Sequence, residues 1–147
     1  MSLRKVVVTG LGIVSSIGVG ASNVLSALKQ GKSGIVAQPV FTEKGMRSQV
    51  AGLVDIDFKE LIDRRVLRFM GDAAAYAYIA MKEAIEMAGL DDKDISNERT
   101  GLFVGSGGGD TAAIVESADV LRTKGIRRVG PYAVPKAMSS TTSANLA

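Results

Sequence analysis

Three consecutive glycines, Gly107-Gly108-Gly109, stand between an apolar run and a helix-forming segment, and few local structures accommodate them. Leu102, Phe103 and Val104 lack an alternating polar face, which is the pattern of a strand covered on both sides. The glycines that follow let the backbone take positive φ or pass close to another group. Asp110 or Thr111 can cap a helix beginning near Ala112. A strand, a glycine turn and a helix N-terminus in series serve equally as a phosphate cradle, a nucleophile turn or a tight crossing of elements.

A second apolar run, Val6-Val7-Val8, ends at Thr9-Gly10-Leu11-Gly12 and predicts a buried parallel strand closing in a glycine turn. Gly10-x-Gly12-x-x-Ser15 imitates a dinucleotide fingerprint, but Ser15 replaces the third glycine. No acidic residue follows at the distance a ribose requires. Val24, Leu25 and Leu28 make an amphipathic helix of Ser22 to Gln30, with Ser22 as cap and Gly31 beyond its end. Residues 32–45 read as irregular and Gln49 to Val54 as extended. Asp57 opens a short helical pattern through Phe58, Leu61 and Ile62, and Asp63 to Met70 read as a surface turn. Asp72 caps a long helix from Ala73 to Ala88, stopped by Gly89, whose small-residue face favours close packing. Tyr76 and Tyr78 read as packing residues. Asp91 to Glu98 reads as an acidic loop.

Beyond the glycines, Ile114, Val115, Ala118 and Leu121 share one face of a helix from Ala112 to Lys124, ended by Gly125. Pro131 and Pro135 frame an extended segment, and Lys136 to Ala147 form an Ala/Ser/Thr-rich helix that needs covering layers. The chain stops at Ala147 with no capping glycine, polar tail or following strand, so the expectation is a portion of a longer protein that does not fold stably alone.

The chain has no Cys and no His, which removes disulfides, thiolate nucleophiles, imidazole bases and Cys/His metal sites. A Walker loop needs Lys-Ser/Thr after its glycines, whereas Asp110-Thr111 follow here, and an Asp repels phosphate. The Gly-x-Ser-x-Gly elbow fails because Val104 holds the place of its first glycine before Ser106. Asp110, Glu116 and Asp119 are spaced as helix-surface acids. Two basic clusters, Arg64/Arg65/Arg68 and Arg122/Lys124/Arg127/Arg128, sit in a chain of net charge +3 with few aromatics near them. That balance fits a small acidic protein partner and argues against nucleic acid. No apolar run approaches the roughly 20 residues of a membrane span, so the expected setting is cytoplasmic with no membrane partner.

Taken in order, Val6 to Gly18, Gly31 to Ile35, Gly45-Met46-Arg47-Ser48, Asp63 to Met70, Gly105 to Gly109 and Val129 to Met138 resemble the start of a β-ketoacyl-acyl-carrier-protein synthase. The triple glycine and Gly-Met-Arg-Ser favour the synthase I type. The resemblance implies α/β class with the layered αβαβα thiolase fold, of which residues 1–147 are the N-terminal portion, and a homodimer. It implies condensation of an acyl thioester with malonyl-carrier protein in the complete protein, through a Cys and two His lying downstream. No catalytic residue, metal or cofactor is therefore expected here. Gly108, Ile114, Val134 and Met138 match positions lining the acyl-chain pocket near the dimer interface. Arg64, Arg65, Arg68, Lys124 and Arg127 match the surface that docks acyl carrier protein. The alternatives are a non-catalytic chain-length partner of the same fold and a small nucleotide-binding module using Gly10 and Gly12.

Overall fold

The computed structural model describes residues 4–147. Its sheet structure consists of two small antiparallel pairs among the described residues. β1 (Val14–Ser15) and β2 (Gly18–Val19) form a tight hairpin with Val14 opposite Val19. β3 (Ile35–Ala37) pairs with β4 (Val50–Gly52), Val36 facing Ala51. α1 (Ala21–Lys29) lies between the two pairs and α2 (Pro39–Glu43) between β3 and β4, the latter helix with Pro39 in its first turn, where a missing N–H costs nothing. The segment expected to be irregular thus holds a strand and a helix. Its turn formers mark the ends of these elements, too short for periodicity to register.

Three helices build the core. α3 (Phe58–Leu61) and α4 (Arg64–Leu67) each start on an aspartate: Asp57 accepts from the Lys59 N–H at 2.9 Å and Asp63 from the Arg65 N–H at 2.7 Å. Both lead into α5 (Asp72–Ala88), which ends at Gly89 in left-handed geometry, φ 63°. Asp72 lies inside this helix and Gly71 precedes it, so the expected aspartate cap shifts by one residue. Ile62, Met70, Ala74 and Ala75 are buried together, with Phe58, Val66, Leu67, Tyr78 and Ile79 packed around them.

The acidic segment expected as loop contains α6 (Asp92–Ile95), closed by a reciprocal capping box between Asp91 and Asp94. α7 (Thr111–Lys124) starts on Asp110 as expected, whose carboxylate accepts from the Ala113 N–H at 2.9 Å. A 3₁₀ turn (Ile126–Arg128) follows, then α8 (Ala133–Ala137) and α9 (Thr141–Leu146). The segment framed by Pro131 and Pro135 is therefore helical at its second proline. The single closing helix is two helices, because Ser139 and Ser140 form a turn and the Thr141 hydroxyl turns back to donate to the Pro135 carbonyl. α9 packs against α5.

Neither apolar run forms a strand. Val6, Val7 and Val8 are 94, 73 and 87% exposed, and Phe103 is 97% exposed. A run becomes a strand only when another strand satisfies its N–H and C=O groups, and among the described residues none lies alongside either run.

Candidate functional site

The Gly10-Leu11-Gly12 turn is pressed onto the backbone of α5. A Cβ on Gly10 would overlap the Ala84 carbonyl, and one on Gly12 would overlap the Ala80 carbonyl. Ala80, Ala84 and Ala88 recur every fourth residue, so the small-residue face of α5 receives a small-residue turn. Glu83 then reaches the same loop, accepting the Ile13 N–H at 3.0 Å through Oε2 and the Ala21 N–H at 2.6 Å through Oε1. The N-terminus of α1 is thereby filled by the protein's own carboxylate. A pyrophosphate there would meet a negative charge and helix backbone, which disposes of the nucleotide-binding alternative.

The glycine cluster is placed by a second carboxylate. Besides capping α7, Asp110 accepts the Asp72 N–H at 2.9 Å through Oδ2, so one side chain joins the N-termini of α5 and α7. Gly109 lies against α8, where a Cβ would overlap the Ala137 carbonyl, while beside Gly108 the space is open. Gly108 and Met138 line a common hollow with Ser106, Asp110, Lys136 and Thr142, of about 10 Å³, space for about one water. Ile114 and Val134 stand outside it, 49 and 68% exposed. The structure thus brings together two of the four residues expected at an acyl pocket. The apolar face of α7 that carries Ile114, Val115 and Leu121 is open, with Ala113 its buried residue.

The basic residues gather around α4. Arg64 and Arg68 line an open groove of about 550 Å³ with Leu67 and two lysines, Lys59 and Lys136. Arg65, on the same helix, is exposed. The Arg68 guanidinium lies 4.9 Å from the Phe69 ring centre and 5.4 Å from that of Tyr132. Those two rings meet edge to face at 5.0 Å. Tyr132 also borders a neighbouring hollow of about 240 Å³ with Arg128, Glu116 and Lys136. Lys124 and Arg127 are exposed at the end of α7 and in the 3₁₀ turn, outside the Arg64–Arg68 groove. Lys59, Arg128, Tyr132 and Lys136 were not among the expected docking residues. Tyr132 and Lys136 did stand in the Gly-Pro-Tyr to Lys-Ala-Met motif, but nothing in their spacing announces that the Tyr132 ring meets Phe69 and Arg68 at the end of α4. Among the described residues the ion pairs are Lys93–Asp91 at 3.1 Å and Arg122–Asp119 at 3.3 Å, and neither involves a cation of the groove.

The family model described as "Beta-ketoacyl synthase, N-terminal domain" matches residues 3–147. The chain belongs to the β-ketoacyl synthase family. It is 52% identical over 146 residues to 3-oxoacyl-[acyl-carrier-protein] synthase 1 of Haemophilus influenzae, an alignment covering 99% of this chain and 36% of that protein. The chain therefore spans about a third of the length of this curated relative. A crystal structure of a β-ketoacyl synthase from Burkholderia phymatum superposes with a TM-score of 0.79 at 26% identity, over 98% of this chain and 36% of that one. A type II polyketide ketosynthase solved with its acyl-carrier protein, AntDE:AntF, shares the fold at TM-score 0.72 and 22% identity, over 95% of this chain and 38% of that one. The fold is thus that of the N-terminal part of thiolase-like ketosynthases. No helix among the described residues is long and apolar enough to cross a membrane.

Proposed function

We propose that this ketosynthase segment serves a fatty-acid condensing enzyme, which joins an acyl thioester to malonyl-carrier protein. In that reaction a C–C bond forms between the malonyl C2 and the acyl carbonyl carbon as the malonyl carboxylate leaves as CO2. The products are a 3-oxoacyl-carrier protein and a free carrier thiol. The observation that carries the proposal is the 52% identity to a 3-oxoacyl-[acyl-carrier-protein] synthase 1 across nearly the entire chain.

With no Cys or His, the chain's share of the reaction is binding. Gly108 and Met138 mark one end of the acyl site, and the exposed apolar side chains of Ile114 and Val134 border it once a second protomer covers them. The open space beside Gly108 accommodates an acyl chain as no larger residue could. Arg64, Arg65 and Arg68, with Lys124 and Arg127, receive the acidic carrier protein. Exposed cations of this kind raise association rate and salt sensitivity more than intrinsic affinity.

The test uses the full-length protein with acyl- and malonyl-carrier protein as substrates and measures 3-oxoacyl product and CO2. Turnover that falls at least tenfold at low salt on reversing Arg64, Arg65 and Arg68 to Glu, through KM, is the expected result, the factor being on the order expected for lost steering. Absence of any condensation product would overturn the assignment. Unchanged carrier affinity in the reversal variant would overturn the docking surface alone.

A further inference from the structure

Around Gly108 the backbone is held at three points. The Ser106 hydroxyl donates to the Gly108 carbonyl at 2.7 Å, and Gly109 is seated against the Ala137 carbonyl of α8. The Asp110 carboxylate accepts from the Ala113 and Asp72 N–H groups, each at 2.9 Å. Capping α7 needs only one of the two carboxylate oxygens. The other reaches the start of α5, whose first turn carries the buried Ala74 and Ala75. We propose that Asp110 is a positioning residue that fixes Gly108 relative to α5 and thereby sets how well the acyl site accepts long acyl chains.

The inference rests on the condensing-enzyme reading, with Gly108 at the acyl site, and deepens it. Gly71 supplies an independent observation. Its φ of −88° and ψ of 175° are extended values that any residue adopts, so no conformational need calls for glycine there. What a Cβ at Gly71 would strike is the Asp110 carboxylate. The residue before α5 thus lacks a side chain where the carboxylate has to lie. Gly71, Gly108, Asp110 and Met138 border the same hollow. Gly108 has open space on its side-chain side, so no neighbour holds it by packing there, and its position follows from the ties around it. A glycine run without those ties has wide backbone freedom, and an acyl chain lying along it would have to order it on binding. Chains that reach Gly108 bear that cost, and chains that end before it do not.

The experiment measures kcat/KM of the full-length protein for a long-chain and a short-chain saturated acyl-carrier protein. Asp110→Asn leaves one oxygen for two N–H groups; used as the cap of α7, which Asn makes as well as Asp, it no longer ties Asp72. The long-to-short ratio of kcat/KM should fall about tenfold, the scale of one hydrogen bond to a charged group. Gly71→Ala should lower the ratio in the same direction by displacing the carboxylate. Combining the two variants should lower it no further, because both remove one contact. Equal loss at both chain lengths, or additive effects of the two variants, would overturn the proposal. Should Asp110→Asn not fold, shown by its melting transition, Gly71→Ala decides: a wild-type ratio overturns the proposal and a lowered ratio supports it. Gly108→Leu separates this inference from the reading beneath it, since it should abolish long-chain turnover. Long-chain turnover retained in Gly108→Leu would overturn the acyl-site reading and this inference with it. Long-chain turnover blocked in Gly108→Leu, with a wild-type ratio in Asp110→Asn, would overturn the Asp110 assignment alone.

Discussion

Tyr76 shows how a packing role leaves a measurable signature. Its ring tilts against Phe58 with centroids 5.2 Å apart, as the reading of Tyr76 as a packing residue requires. Burial pushes its hydroxyl above the ordinary tyrosine value of 10.0, and the negative charge of Asp72, one turn earlier on α5, adds to the rise. Because the folded-state value is raised, the folded protein keeps this proton where the unfolded chain loses it. The stability it contributes is complete below the unfolded value and is lost as pH climbs through the folded one. A phenolate absorbance titration of the full-length protein should therefore show a late-titrating component that is absent in Tyr76→Phe. Asp72→Asn should move it only part of the way back, since burial is the larger cause. A full return to the ordinary range in Asp72→Asn would show that charge dominates instead. Gly10 and Gly12 make a different point at this scale: their spacing imitates a nucleotide motif, yet what each accommodates is a carbonyl of α5.

Among the elements, two carboxylates do the joining that hydrophobic burial leaves undone. Glu83 ties the β1–β2 hairpin and the start of α1 to α5, across sequence separations of 70 and 62 residues. Asp110 ties α7 to α5 across 38. Removing the Glu83 carboxylate strands two backbone donors, so Glu83→Ala in the full-length protein should cost about 2 to 4 kcal/mol by denaturant unfolding, at roughly 1–3 kcal/mol per orphaned group with partial rescue by water. Glu83→Gln keeps one acceptor and should cost less than half of that. Equal costs for the two variants would mean that packing, not hydrogen bonding, holds the hairpin. The helix starts at Asp57 and Asp110 are legible in the sequence, since a cap is a contact two or three residues long, whereas those at Asp63 and Asp91 are not, because the four-residue helices they open are too short for periodicity to separate from a turn or loop. The Glu83 clamp is not legible either, because nothing local to Glu83 distinguishes it from another surface acid on α5.

The whole molecule is far more exposed than a self-sufficient domain of its size. Its accessible surface is 11401 Å², against about 7,100 Å² for a compact monomer of 15.3 kDa by the usual scaling. Among the described residues the buried hydrophobics are Val24, Ala27, Ile62, Met70, Ala74, Ala75 and Ala113, four of them alanines. So small a core cannot offset the conformational entropy of ordering the chain. The 147 residues expressed alone should melt without a cooperative transition and bind a hydrophobic dye. A sharp calorimetric peak from that chain would refute this.

What residues alone determined were the matters decided within a few positions: the helix starts on Asp57 and Asp110, the stop of α5 at Gly89, and the chemistry excluded by lacking Cys and His. The ordered motifs determined the family as well. The tertiary structure decided which apolar runs find a strand partner and which carbonyls the paired glycines approach. It also decided that Lys136 borders the Arg64 and Arg68 groove on one side and the glycine hollow on the other. Those outcomes depend on groups tens of residues away, whose positions are set by packing and by the two long-range carboxylate ties rather than by any local pattern.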